Sequence, residues 1–371
     1  MTSTLTAMSA KLHSVVVVTE TLTASSESAA EKQYDNFSSV EEQVPIAWSW
    51  ELMTWSWYVI CEFVIAILGI IGNALVIAVV FGRRSKRRST DILVGNLAIA
   101  DFLTSILLVP YAKVKSIPNS WVGALFCKLM EGEYLMWTAI MASIYSLVAV
   151  SFDRFFAVVY PIQFKRFASP RLVNIIVCLI WMGSSVLMVR ILLTNTTDVT
   201  KGKCLYQRPP RDEQIIFGIY VFVVKLVLPT FLMFVTQIAI ARSLRRQAAR
   251  FASNETTASF HQIARSRVLT LTLTVVLIYV ICWTPDQIAF ISFNLGLLTP
   301  SFLRSPFARV VTALAICNSC VNPILYTLRH PQFREAVKDF FRNTSKRNAP
   351  IFEDVELTYR SDKTHENIVK T

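Results

Sequence analysis

The stretch WYVICEFVIAILGIIGNALVIAVVF occupies residues 57–81 and contains a single charged side chain, that of Glu62. A helix needs about 20 predominantly apolar residues to cross the ~30 Å hydrocarbon core of a bilayer. Lipid offers the backbone no hydrogen-bond partner, so a helix, which satisfies its own backbone, is the expected form. Residues 57–81 are therefore predicted to span a membrane.

Six further stretches of similar length and composition follow, each flanked by polar residues. The 371-residue chain is 53% hydrophobic and 17% charged, whereas soluble proteins are about 25% charged. We therefore expect not a soluble fold but an all-α membrane protein, a seven-transmembrane helix bundle. The predicted spans are 57–81, 92–111, 127–158, 172–193, 215–241, 268–295 and 307–328.

The charge distribution predicts the orientation. A net charge of +12 could suggest nucleic-acid binding, but the basic residues cluster at 83–88, 165–171 and 242–267, in three loops on the same side of the bundle. Such clusters are typical of cytoplasmic loops. The acidic, Ser/Thr-rich segment before residue 57 is then outside and the C-terminus inside. We expect a multi-pass plasma-membrane protein whose basic inner face meets anionic lipid, with no nucleic-acid partner.

This topology divides the chain into four parts. Residues 1–56 are predicted to be a disordered extracellular N-terminus, 57–328 the helix bundle, 329–342 an amphipathic helix on the membrane surface, and 343–371 a cytoplasmic tail. Asn36 and Asn195 lie in N-glycosylation acceptor patterns and fall on the outer side.

One carboxylate lies in the middle of a predicted span. Asp101 follows Asn96-Leu97-Ala98-Ile99-Ala100, and an ionised group at that depth costs several kcal/mol unless it finds a partner or a hydrated cavity. Asn73, Asn318 and Asn322 lie in other spans as candidate partners. From the residues alone, a structural polar cluster that holds helices together explains Asp101 as well as a functional site does.

Seven short motifs occur in order, one in each predicted span: Gly72-Asn73, Leu97-Ala98-Ile99-Ala100-Asp101, Asp153-Arg154-Phe155, Trp181, Pro229, Cys282-Trp283-Thr284-Pro285 and Asn322-Pro323-Ile324-Leu325-Tyr326. In this order and placement they resemble the rhodopsin-like (class A) G-protein-coupled receptors, most closely the neuropeptide receptor group. The resemblance covers the chain from Gly72 to Phe333.

The resemblance implies roles for residues inside the membrane. A pocket for an allosteric sodium ion, the single cofactor expected, is implied at Asp101, Ser143, Asn318, Ser319 and Asn322. The implied activation switch comprises Asp153, Arg154, Ile144, Pro229, Tyr279, Trp283, Pro285, Pro323 and Tyr326. Arg154, Pro161 and Ile162 are expected to contact a heterotrimeric G protein. Arrestin and receptor kinases are further partners that the family implies.

Three switch positions depart from the usual family residues: Phe155 and Gln237 each replace a Tyr, and Tyr279 replaces a Phe. The family also implies a disulfide between Cys127 and Cys204. Cys127 lies 27 positions before Arg154, two more than the family pattern. On a regular helix this turns Cys127 by about 200° and raises it by about 3 Å. We still expect the bond, with Cys127 either outside the helix proper or above a local bulge.

In this family the ligand pocket lies between the outer halves of the helices. Met136 and Ile316 stand where monoamine receptors carry Asp and visual opsins carry Lys, so an amine or retinal ligand is not expected. The predicted ligand contacts are Lys115, Glu133, Met136, Trp137, Lys225, Asp286, Gln287 and Phe290. Lys225 and Asp286 could neutralise each other, either as a salt bridge that the ligand breaks or as a permanent structural pair.

A mixed-charge pocket favours an extracellular peptide, with a small molecule, a lipid or constitutive activity without ligand as alternatives. No motif of an enzyme is present. A seven-helix transporter or pump would share the hydropathy, but the last span has no Lys for retinal and the chain has no internal repeat.

Overall fold

The computed structural model describes residues 47–82, 88–167, 169–198, 201–207, 209–250, 255–302 and 305–342. The N-terminal segment with Asn36 and the C-terminal tail lie outside these ranges. Within them, seven helices are long and apolar enough to cross a membrane, which confirms the predicted all-α bundle. They are α1 (Trp57–Phe81), α2 (Ser89–Leu107), α3 (Trp121–Val159), α4 (Pro170–Thr194), α5 (Arg211–Arg246), α6 (Thr272–Asn294) and α7 (Pro306–Arg329).

The bundle is organised around α3. This helix packs against α2, α4 and α5, while α7 packs against α1 and α6 and so closes the bundle. Ile140, Met141 and Ile144 of α3 are fully or almost fully buried. By contrast, only 17% of the apolar part of α4 is buried inside the bundle, compared with 67% for α3. The apolar surface of α4 is therefore left for lipid.

Several helix ends differ from the predicted ones. The second span ends at Leu107 instead of residue 111. Pro110 explains this, because proline disfavours the helical conformation in the residue before it and has no N–H to donate. Helix α3 begins at Trp121, six residues before its predicted start, and Ser120 caps it by accepting a hydrogen bond from the Gly123 N–H.

The outer part of α3 contains a π-turn over Cys127–Glu131, in which the Gly132 N–H donates to the Cys127 carbonyl. Glu133 then adopts a left-handed conformation with φ 56°, and regular α-helix resumes at Tyr134. A π-turn holds more residues than an α-turn, so this bulge accommodates the two extra residues. The predicted disulfide between Cys127 and Cys204 is confirmed, with its Cα atoms 5.4 Å apart.

A second π-turn interrupts α5 at Val223–Val227. Two tyrosines from neighbouring helices donate to its carbonyl groups: Tyr145 of α3 to Val224 at 3.1 Å, and Tyr279 of α6 to Lys225. Tyr279 is completely buried. The hydroxyl that distinguishes Tyr279 from the usual Phe therefore holds α6 against α5.

Helices α5 and α6 also approach closely nearer the outer side. An added Cβ at Gly218 would lie 2.4 Å from the Asn294 Cβ, so no larger residue fits without moving a helix. Close helix approach at small residues is typical of membrane bundles. Gly183 on α4 is the opposite case, because an added Cβ there would meet nothing within 4 Å.

Two short two-stranded sheets cover part of the outer end. Strand β1 (Ser49–Trp50) pairs with β2 (Val114–Ser116), and β3 (Asn195–Asp198) forms a hairpin with β4 (Lys203–Tyr206). The Ile117 N–H donates to the Gly202 carbonyl at 2.7 Å and links the two sheets. The segment before α1 is therefore joined to the same outer layer as the disulfide loop.

A short helix, α8 (Pro331–Phe341), follows α7 directly. Phe333 and Ala336 are buried, and the Phe333 ring lies edge-on to Tyr326 of α7, with centroids 6.1 Å apart. Phe341 on the other face is 73% exposed. At the junction, burial and then the Arg154 guanidinium lower the pKa of His330 to about 4. A helix thus lies within residues 329–342, and its position on the membrane surface remains a prediction.

Candidate functional site

A buried polar network surrounds Asp101 at the centre of the bundle. Ser143 donates to Oδ1 of Asp101 at 2.6 Å and Asn322 donates to Oδ2 at 2.8 Å. The Ser319 side chain also hydrogen-bonds the carboxylate. Asn73 donates to the Ser319 carbonyl at 2.9 Å. The Asp101 carboxylate is entirely buried and is contacted by side chains of α3 and α7. Asn73 of α1 joins the same network through the Ser319 carbonyl.

The chemistry of this network suits a small hard cation. Asp101 supplies a carboxylate, Ser143 and Ser319 supply hydroxyl oxygens, and the buried Asn318 carries an amide oxygen on the same helix as Ser319. Oxygen-only donor sets of this kind are those that hard cations prefer. A donor set of one carboxylate with hydroxyl and amide oxygens fits a hard cation better than a transition metal, which prefers nitrogen or sulfur ligands.

The Asn96 side chain makes a second buried link, which the sequence did not reveal. It donates to the Ser146 hydroxyl at 2.8 Å and accepts from the Trp181 indole N–H at 2.9 Å. Three helices, α2, α3 and α4, are joined by these two bonds. Trp181 was recognised as part of a motif, but its partner could not be found without the packing of the helices.

The inner end of α3 places charged and apolar groups side by side. Asp153 and Arg154 are 7% and 8% exposed, and the Thr90 hydroxyl of α2 donates to the Asp153 carboxylate. Beyond Tyr160 a short helix covers Pro161–Phe167. Ile162 on this helix is 83% exposed. Ile162 is therefore accessible to a partner on the side of the molecule where α3 ends.

The predicted switch residues occupy one continuous core. Ile144, Tyr279 and Trp283 belong to the same buried cluster, and Pro229 is buried in α5. Pro285 and Pro323 lie inside α6 and α7, where each removes a backbone donor and weakens the helix locally. A movement of Trp283 would therefore be transmitted to a weakened point of α6.

Gln237 supplies a different contact from the Tyr usual at its position. Its amide oxygen accepts a hydrogen bond from the Thr272 hydroxyl at 2.9 Å. Gln237 lies on α5 and Thr272 at the start of the α6 span, so the departure from the family pattern keeps the two helices linked at their inner halves.

At the outer half, Lys225 lies between two tryptophans. Its Nζ is 3.9 Å from the Trp137 ring centroid and 4.1 Å from that of Trp283. Lys225 is 3% exposed. The π-turn of α5 carries this residue, and Met136, also buried, neighbours Trp137 on α3.

The anticipated direct pairing of Lys225 with Asp286 is not formed. No carboxylate oxygen of the described residues lies within 4.0 Å of the Lys225 ammonium. Asp286 instead accepts from the Gln287 amide at 2.9 Å and from the Thr312 hydroxyl at 3.4 Å. The physical reason is that the two indole faces occupy the space around the ammonium, although the charge of Asp286 still acts on it.

The mouth above Lys225 is acidic. Glu133 is exposed to solvent, yet its carboxylate is hydrogen-bonded to Trp137 and lies near the charges of Glu131, Glu62 and Arg309. The charge of Glu133 also acts on Lys225, and the region of the outer half between these two residues is called the outer recess. At its edge, burial and then the two glutamates raise the pKa of Tyr111 to about 12, so its hydroxyl stays protonated.

The remaining predicted outer residues are more scattered. Phe290 of α6 contacts the Phe217 ring of α5, with centroids 6.4 Å apart. Lys115 is exposed on β2, outside the helices. The Asn195 amide donates to the Ile191 carbonyl at 2.9 Å, and its second N–H is not needed for this bond. Glycosylation at Asn195 remains a prediction.

A seven-helix bundle with this central polar network, switch core and outer recess defines a transmembrane receptor. Residues 72–326 match the seven-transmembrane receptor family of the rhodopsin type. The chain therefore belongs to the rhodopsin family of seven-transmembrane receptors. It is also similar to a protein of Bombyx mori named allatostatin-A receptor, with 28% identity over 289 residues, covering 74% of this chain and 76% of that protein.

Proposed function

We propose that this receptor binds an extracellular peptide and activates a heterotrimeric G protein in response. The observation that carries the proposal is the arrangement of charge in the outer half, with carboxylates near Glu133 at the outer end and an ammonium on Lys225, buried between the helices. A peptide offers several charged and apolar groups over such a depth, whereas a lipid offers one polar end. The similarity to a receptor named for the peptide allatostatin-A supports the same assignment.

The proposed mechanism links the outer recess to the inner face. A ligand that reaches Lys225 meets Trp283, two residues before Pro285 in α6. A shift of Trp283 would bend α6 at the proline and loosen its inner half from α5, where Thr272 bonds Gln237. The surface around Arg154 and Ile162 would then admit the G protein. Nucleotide exchange belongs to that partner, and we assign no enzymatic activity to the receptor.

The proposed orientation places the N-terminus and both two-stranded sheets outside the cell. It rests on the basic inner loops and on the disulfide between the outer loops, since such bonds persist in oxidising compartments. Receptor kinases and arrestin are proposed to act on the inner face, and anionic lipid to contact its basic residues. An epitope tag before Met1 should be accessible to antibody on intact cells, and a tag after Thr371 should require permeabilisation.

The ligand class is tested by expressing the chain in cells and measuring inositol phosphate and cyclic AMP. A neuropeptide panel and a lipid panel are applied to the wild type and to Asp286→Asn. The proposal expects a response to at least one peptide, reduced in the variant. A response to lipids alone, undiminished in Asp286→Asn, would replace the peptide assignment with the lipid one, and a high signal without any ligand would indicate a constitutively active receptor.

We also propose that the Asp101 network binds sodium. Asp101 would hold the ion, with oxygen atoms of Ser143, Ser319 and Asn318 completing the site. Sodium chloride should raise the melting temperature of the purified receptor more than equimolar choline chloride does. Asp101→Asn keeps the shape of the side chain but removes its charge, so the difference between the two salts should vanish. An undiminished difference in Asp101→Asn would place the ion elsewhere.

A further inference from the structure

The Lys225 ammonium is enclosed by aromatic faces instead of counterions. Trp137 and Trp283 lie at 3.9 and 4.1 Å from Nζ on two different helices. A desolvated cation–π contact stabilises an ammonium less than its lost hydration did. Removing an ammonium from water costs several kcal/mol even after relaxation. The two indoles therefore offset only part of the cost of burying this charge.

No carboxylate of the described residues contacts the Lys225 ammonium to compensate for the rest of this cost. Asp286 is engaged with Gln287 and Thr312, and Glu133 is hydrogen-bonded to Trp137. Their charges reach Lys225 only at a distance. An ammonium held in this way has the capacity to accept one more anionic partner.

One donor beside this ammonium has no acceptor. The Trp283 indole N–H is buried and has no hydrogen-bond partner in the described part of the chain. Trp283 is itself one of the two rings around Lys225. A cation accompanied by an unsatisfied donor recognises a carboxylate better than an amine or a neutral apolar group.

The acidic residues lie on the outer side of the ammonium, because Glu133 precedes Trp137 on α3. Glu133 is solvent-exposed and binds the same Trp137 whose face covers Lys225. A ligand with negative charge throughout would be repelled by Glu131 and Glu133. A ligand that carries a basic group near the mouth and an acidic group at its inserted end would be complementary to both charges.

We propose that Lys225 is the subsite for a carboxylate at the inserted end of the activating peptide, lying against Trp137 and Trp283. This inference rests on the proposed function, because it assumes that the recess is the peptide site. The carboxylate comes either from a free C-terminus or from an Asp or Glu side chain. Its arrival draws the ammonium from between the rings and so changes the position of Trp283.

The subsite is tested first without any signalling. N-acetyl-phenylalanine and its amide, each at millimolar concentration, are compared by thermal shift on purified receptor. The acid should raise the melting temperature of the wild type and the amide should not. Lys225→Met, which keeps the length of the side chain without its charge, should remove the effect of the acid, and Lys201→Gln, an equal charge change at a side chain 77% exposed, should retain it.

Cells provide the second test, using an agonist peptide from the panel. Analogues with an amidated C-terminus, and with each Asp or Glu changed to Asn or Gln, identify which source supplies the carboxylate. The analogue that lacks the bound carboxylate should be about 10- to 100-fold less potent than the parent peptide on the wild type. On Lys225→Met the two peptides should differ little in potency. Surface expression of Lys225→Met and Lys225→Gln is measured alongside, so that a folding defect is recognised and the better-expressed variant is used.

The outcomes separate the two proposals. Binding of the acid that depends on Lys225, with no response to any peptide, would support the subsite and contradict the peptide function. A peptide response whose carboxylate analogues are equally potent on wild type and Lys225→Met would overturn the subsite and leave the function standing. The subsite would also be overturned if Lys225→Met signalled more without ligand and still bound N-acetyl-phenylalanine better than its amide. Lys225 would then be a permanent structural cation.

Discussion

Replacing Tyr279 by Phe removes one hydroxyl and leaves the ring in place at the packed centre of the receptor. That hydroxyl donates to the Lys225 carbonyl in the π-turn of α5, and the residue is completely buried. Water cannot replace the lost donor there. A net hydrogen bond contributes about 1 kcal/mol, and a buried acceptor left without a partner costs about 1–3 kcal/mol. We therefore expect a loss of about 1–2 kcal/mol.

The measurement is the melting temperature of ligand-free receptor in detergent. One kcal/mol corresponds to roughly 2 °C for a chain of this size, so Tyr279→Phe should lower the melting temperature by roughly 2–4 °C. Tyr145→Phe removes the companion bond to Val224, which is part-buried and 3.1 Å long. Water can partly replace that hydroxyl, and the expected decrease is about 1 °C.

A matched control is Tyr220→Phe, which removes a 3.3 Å bond from a part-buried hydroxyl to the Leu187 carbonyl, away from the π-turn. Its effect should not exceed that of Tyr145→Phe. Equal decreases in all three variants would mean that burial does not set the cost. An unchanged or raised melting temperature in Tyr279→Phe would refute the role of its hydroxyl in holding α6 against α5.

Three further expectations follow from other parts of the molecule. Closing a loop of 77 residues is worth about 4–5 kcal/mol in the chain-entropy account. Cys127→Ser and Cys204→Ser should therefore reduce surface expression and ligand binding equally, and the double variant should be no worse; a harmless single change would contradict the bond. Gly218→Ala should lower the melting temperature through overpacking worth about 1–3 kcal/mol, whereas Gly183→Ala should leave it within the error of measurement; equal effects would count against close packing at Gly218. Because the pKa of His330 is lower in the folded state than its ordinary 6.5, the unfolded chain takes up the proton first. The stability that neutral His330 contributes is complete above about pH 6.5 and is lost as the pH falls toward 4. The melting temperature of the wild type should therefore decrease over this pH range, and that of His330→Gln should decrease less. If the melting temperatures of the two proteins change with pH in parallel, His330 is not the cause.

The membrane spans could be predicted because hydrophobicity and length are local properties of the sequence. The stretch from Trp57 to Phe81 was located to the residue. Where a span ends depends on competing local effects, and Pro110 ended α2 earlier than the apolar pattern suggested. The central network around Asp101 was also anticipated, since a buried carboxylate requires partners and the motifs supplied them.

The contacts of Lys225 could not be predicted in the same way. Charge alone suggested Asp286 as its partner, because the sequence does not show which way α5 turns. The π-turn that carries Lys225 has no sequence signature, and the indole faces of Trp137 and Trp283 occupy the position expected for the carboxylate. Pairings such as that of Asn96 with Trp181 require three helices to be placed first.

The π-turn at the top of α3 determines how this chain can be compared with other receptors position by position. Below Tyr134 the helix is continuous to Val159, so residues equivalent by counting from Arg154 are also equivalent in space. Above it, a gap of two residues has to be placed between Cys127 and Tyr134 before any alignment is meaningful. Glu131 and Glu133 lie within that gap region. The acidic mouth of the recess therefore cannot be assigned to a relative by counting residues from Arg154.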